Sequence, residues 1–133
     1  SLRTHNETPV IDRVEGKKHI GLFHGPVHGL TTDVGYEFSD GYDPFTFKGC
    51  DLVLCGGIHK RQIFDIPEGK AYMVGSTIQQ NFGESVSKHG YGTYYIDKDE
   101  YSFTDLDNKS PFLQFKITDI EDIENGKEVL LNA

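Results

Sequence analysis

The chain has no tryptophan, one methionine and two cysteines in 133 residues. Cys50 and Cys55 form no Cys-x-x-Cys pair, so the usual paired-thiolate motifs are missing. Five apart on one expected strand, they point to opposite faces and are poor disulfide partners for each other. Both read as reduced packing residues of a cytoplasmic protein. Basic residues are outnumbered 13 to 21, for a net charge of −8. That argues against a domain that grips nucleic acid by its overall field, which needs clustered Lys and Arg. It does not exclude a metal site facing a phosphate, because a bound cation inverts the local charge logic. No apolar run approaches the ~20 residues that a membrane span needs, and these residues hold no secretory h-region. The chain lacks a Gly-x-Ser-x-Gly elbow and a phosphate-binding glycine loop followed by Lys-Ser/Thr. It also lacks an initiator Met, opening on Ser1-Leu2, and so reads as a piece cut from a longer protein.

What is abundant is glycine, 15 residues, with 9 Phe and 7 Tyr as the aromatic mass. This balance favours strands and turns over long helices. The organising stretch is Asp51-Leu-Val-Leu-Cys-Gly-Gly-Ile-His59-Lys-Arg-Gln62. A short apolar run closed by two glycines reads as a buried strand, and His59 falls at its carboxyl end, where open α/β sheets place ligands. His19–Phe23 reads as a second such strand, stopped at His24-Gly25-Pro26. If the two strands are neighbours, His24 and His59 converge.

Elsewhere the pattern predicts a short helix near Pro9–Glu15 and a long irregular connection over 25–49 with a helical turn near Pro44–Phe47. It predicts a hairpin of Gln62–Ile66 with Ala71–Val74, and a second of Gly92–Asp97 with Tyr101–Thr104. A further strand is expected across Phe112–Ile117. The tail from Thr118 shows no clear period, and the break at 105–111 marks a possible domain boundary.

Three of six histidines, His24, His59 and His89, stand beside glycines at expected strand ends. Imidazole is the commonest metal ligand; a hydrogen-bonded turn residue is the other reading of each. His28 follows His24 by four, but Pro26 rules out a helical His-x-x-x-His pair. No carboxylate partner is evident: Asp51 opens its strand, and Asp33 and Asp43 lie in the long loop.

Four blocks in order carry a resemblance: Phe23-His24-Gly25, the 51–62 stretch, Val74-Gly-Ser-Thr-Ile-Gln-Gln-Asn-Phe-Gly-Glu84, and His89-Gly-Tyr91. Over about residues 18–97 the chain resembles the C-terminal half of calcineurin-like metallophosphoesterases, within them the SbcD-type DNA repair and recombination nuclease subunits. The resemblance implies a β-rich α/β fold, the C-terminal half of a two-sheet sandwich with flanking helices. Residues 1–104 would form that half, and 105–133 the start of a capping domain or a C-terminal extension. It further implies two divalent metal ions, usually manganese, with His24 and His59 as metal-ligating catalytic residues. Gly57 stands where the family has a further ligand histidine, and Ser76 and His89 line the pocket. The family's remaining ligands belong to an N-terminal half that this chain lacks, so the chain alone is expected to be inactive. Glu84 is expected to be a structural hydrogen-bonding residue. The implied partners are DNA and an SbcC-like coiled-coil ABC-type ATPase. A homodimer is a further expectation, from apolar surface that the missing half would leave open. A small-molecule phosphatase or phosphodiesterase of the same fold, and a degenerate scaffold lobe, remain the alternatives.

Overall fold

A computed structural model describes residues 11–132, with side chains described as far as residue 127. It shows a small, strand-rich mixed α/β fold. Four strands form one sheet: β1 (Ile20–His24), β2 (Leu52–Gly56), β3 (Gln62–Ile66) and β4 (Gly69–Met73). Their order is β1-β2-β4-β3, with β1 and β4 parallel to β2 and β3 antiparallel to β4. A separate hairpin joins β5 (Gly90–Tyr95) and β6 (Glu100–Asp105). One α-helix, α1 (Ile120–Asn132), follows. Among the described residues no helix is long and apolar enough to cross a membrane.

Strand alternation sorts the sheet into two faces. Val53, Cys55, Ala71 and Met73 point into the core, each almost wholly buried. The 25–49 connection closes over them. Val27, Leu30 and Phe47 come from it, and Phe23 packs edge-on against Tyr42 and Phe47. The expected turn at Pro44–Phe47 is a 3-10 helix capped by Asp43, whose carboxylate accepts from the Phe45 N–H. This long loop is therefore mostly the lid of the core. On the opposite face, Leu22, Leu54, Tyr72 and Ile63 share one register row. The hairpin covers its centre: Tyr72 stacks on Tyr101 with ring centroids 3.9 Å apart, and the Arg61 guanidinium lies over the Phe103 ring. Leu22, on the edge strand, is left 82% exposed.

Three expectations need correction. Pro9 and Val10 lie outside the described residues, but Ile11–Val14 are not helical and Glu15-Gly16 is a turn. Tertiary bonds decide this segment. Arg13 donates to the Gly49 carbonyl and to Asp51, and the Lys17 N–H closes the turn on the Val14 carbonyl. Phe112–Ile117 is not a strand either. No neighbouring strand pairs with it. The buried Gln79 side chain instead takes the Phe112 N–H at 2.8 Å and donates to the Phe112 carbonyl at 3.1 Å, serving as a one-residue ladder. The tail, finally, holds α1. Its entry is a capping box: Asp119 accepts from the N–H groups of Glu121 and Asp122, and Asp122 accepts back from Thr118 and Asp119.

Both cysteines are free and buried. Burial pushes the Cys55 thiol up to about 12 and raises that of Cys50 as well, so neither is a thiolate at neutral pH. Asp51 bounds β2 at the end remote from His59. It accepts from the His19 N–H and from Arg13, and these two bonds hold its carboxyl below the ordinary range.

Candidate functional site

The parallel pairing of β1 and β2 puts the carboxyl ends of both strands on one edge. His24, the last residue of β1, is in register with Gly56, the last of β2, and His59 follows three residues later. The chain turns between them at Gly57, whose φ of +105° is open to glycine and strained for other residues. The turn is tight. A Cβ at position 57 would sit 2.9 Å from the Gly25 nitrogen and 3.4 Å from His24 Cε1. A Cβ at 56 would meet the same ring, 3.3 Å from its Cδ2. The exposed His24 imidazole thus lies along the two glycines, and the absence of side chains at 56 and 57 makes room for it.

His59 is held from the other side. Its Nδ1 is 2.8 Å from Glu84 Oε1. The Glu84 side chain is only 7% exposed, against 44% for that of His59. The loop before Glu84 wraps its carboxylate: Asn81 Nδ2 donates to Oε1 at 2.6 Å and the Gln80 N–H to Oε2 at 2.8 Å. Burial pushes the Glu84 carboxyl up, but the bonds from His59 and the Gln80 N–H outweigh it, and the group ends below its ordinary value. An ionised carboxylate can only accept, so the shared proton sits on His59 Nδ1. His59 Nε2 makes no hydrogen bond to the described residues.

Two adjoining hollows, about 290 and 360 Å³, share Asp33, His59 and Lys60 in their walls. Gly57 and Glu84 complete the first; Arg61, Lys88 and His89 border the second. His24 borders neither. Lys88 holds a left-handed φ of +70°, a conformation uncommon outside glycine. His89 is 3% exposed and turned inward. Its Nε2 donates to the Ser85 carbonyl at 2.5 Å, which leaves Nδ1 to accept from the Ser76 hydroxyl at 2.9 Å. Ser76 is itself buried and borders neither hollow. His89 thus lines the second hollow as expected, while its hydrogen-bond partner Ser76 lies behind it.

Sequence reasoning missed the pairing of Glu84 with His59 and the presence of Lys60 and Asp33 in the wall. The Asn-Phe-Gly-Glu84 block pointed to the residue but not to its partner, 25 positions away. Gln62 opens β3, as the strand pattern expects. Its amide bonds both the N–H and the carbonyl of Thr31, pinning the long loop beside Lys60.

The donor set fits a metal only in part. A neutral imidazole with Nδ1 on a carboxylate and Nε2 bare is the arrangement of a metal-ligating histidine. Yet among the described residues no group of three or more His, Cys, Asp or Glu could hold an ion. Two imidazoles are half of even a compact four-coordinate shell.

Comparison with known proteins adds one relationship. The chain is 36% identical over 109 residues, 81% of its own length, to uncharacterized protein R555 of Acanthamoeba polyphaga mimivirus. It spans 8% of that protein's length. No model of a protein family matches the chain, and no solved structure matches it.

Proposed function

We propose that this chain supplies the two imidazole ligands of a metal-dependent phosphoesterase, a DNA-cleaving nuclease subunit whose remaining ligands lie outside the described residues. One observation carries the reading. His24 ends β1 in register with Gly56, the last residue of parallel β2, and His59 follows Gly56 by three residues at the same carboxyl edge. Such an edge is where sheets of this kind bind ligands, and His59 presents a bare Nε2 there. The ordered resemblance of residues 18–97 to the SbcD-type nucleases supports the choice of a phosphodiester in DNA as substrate, of manganese as metal, and of a coiled-coil ATPase as partner. Lys60 and Lys88 border the hollows, with Arg61 paired to Asp105 and Asp33 beside them, and the two lysines suit a phosphate.

Position 57 favours a second reading, a lobe that keeps the fold but not the chemistry, because the residue there brings no ligand. Hydrolysis separates the two. With Mn²⁺, this chain alone is expected to release nothing above buffer from a phosphodiester. A longer polypeptide that adds Asp-x-His and Gly-Asn-His-Asp segments upstream is expected to cleave single-stranded DNA, and to lose at least about a hundredfold in rate on His24→Ala or His59→Ala. A longer polypeptide that binds the ATPase yet cleaves nothing would support the scaffold instead.

A further inference from the structure

We propose that Glu84 is the positioning residue of this site: it accepts a hydrogen bond from the Nδ1–H of His59 and thereby fixes the imidazole in the tautomer whose Nε2 is the free lone pair. The importance of that lone pair rests on the proposed metal centre, but the assignment of the tautomer does not. Neutral imidazole has one donor and one acceptor nitrogen, and the hydrogen bond made by one decides the role of the other. Nδ1 faces a carboxylate at 2.8 Å, and a carboxylate cannot donate. Nε2 is therefore the acceptor nitrogen, and it is the one without a partner among the described residues.

The carboxylate cannot easily turn away. Oε1 takes the Asn81 amide as well as His59, and Oε2 takes the Gln80 N–H. The Asn81 side chain also accepts from the Gly83 N–H, which closes the turn beneath Glu84. Gln79 anchors the loop further, donating to the Glu84 carbonyl at 3.0 Å and to the Phe112 carbonyl. A rigid acceptor of this kind orients the imidazole and raises its basicity as a ligand, and its loss costs about 10–100-fold in metal affinity. The other charged groups in the walls beside His59 are Asp33, Lys60, Arg61 and Lys88. Asp33 accepts from the Ser85 N–H, the three cations offer no acceptor, and of these Lys60 donates to the Thr31 hydroxyl and Arg61 to Asp105, so none competes for the Nδ1 proton.

The test uses ¹⁵N shifts of the His59 ring, with backbone amide spectra to verify the fold. In the wild-type chain, neutral His59 should carry its proton on Nδ1. Glu84→Gln keeps the size but offers either an oxygen or an NH₂ to the ring, so the Nε2–H form should rise to a comparable population. Glu84→Ala should move it further, and Glu84→Gln remains the decisive variant if Glu84→Ala unfolds the loop. Mn²⁺ affinity read at the His59 signals should fall about 10–100-fold in both. A wild type with Nε2–H, or a folded Glu84→Gln with unchanged tautomer, overturns the proposal. A wild-type Nδ1–H tautomer that shifts in Glu84→Gln, in a protein that ignores Mn²⁺, supports the role of Glu84 and removes the metal reading instead.

Discussion

Gly57→His is expected to weaken the fold by about 2–6 kcal/mol, backbone strain and overpacking together, and to bring in no metal. The φ of +105° at this position lies in the left-handed half of the map, where a branched side chain is strained before it touches anything. The added Cβ would then press on the Gly25 main chain at 2.9 Å, which has no rotamer to change. A whole domain is stable by only about 5–15 kcal/mol, so the variant should unfold at a visibly lower denaturant concentration. Gly56→Ala is the control. Its Cβ meets only the edge of the exposed His24 ring, at 3.3 Å, and its cost should stay below about 1 kcal/mol. The resemblance makes Gly57 the place of a lost ligand; the backbone makes it a position that must be glycine for this turn to exist. A Gly57→His chain that keeps its denaturation midpoint and binds Mn²⁺ more tightly would contradict this.

The second large effect separates the histidines from one another. His89→Ala should cost about 2–4 kcal/mol, because it opens a cavity and strands the buried Ser76 hydroxyl and the partly buried Ser85 carbonyl. The main chain on either side is also committed: the Leu106 N–H donates to the His89 carbonyl, and the Gly90 N–H to that of Ser76. His24→Ala and His59→Ala remove exposed rings and should stay within about 1 kcal/mol of the parent. Urea denaturation of the three variants reads this directly. If His59→Ala were as damaging as His89→Ala, His59 would be a structural residue.

The parts of the fold legible in sequence are those whose hydrogen bonds run to a strand nearby in the chain. Leu52–Cys55 is apolar because β2 is flanked by β1 and β4, and Pro67-Glu68 marks the β3–β4 turn. The glycines at 56–57 and after His24 announced the strand ends, and with them the two histidines. Phe112–Ile117 carries the residue types of a strand but meets a glutamine side chain, a pairing that no periodicity encodes. In α1 the apolar spacing is sparse and Gly126 falls mid-helix, so no period announces the helix. The Ile11–Val14 spacing suggested a helix, but Arg13 is drawn across to Gly49 and Asp51. The site was half legible for the same reason. His59 follows its strand, whereas the carboxylate that orients it returns from a loop that only folding brings back.

The most direct test of the central claim is a titration of the chain with Mn²⁺ while the ring signals of its histidines are followed by NMR. Paramagnetic broadening should strike His24 and His59 together at the lowest metal concentrations. His19, at the opposite end of the sheet, and His28, tied to the Ser39 carbonyl, should stay sharp. Broadening of only one of the pair, or of His19 and His28 first, would mean that the two strand-end imidazoles do not share a metal ion.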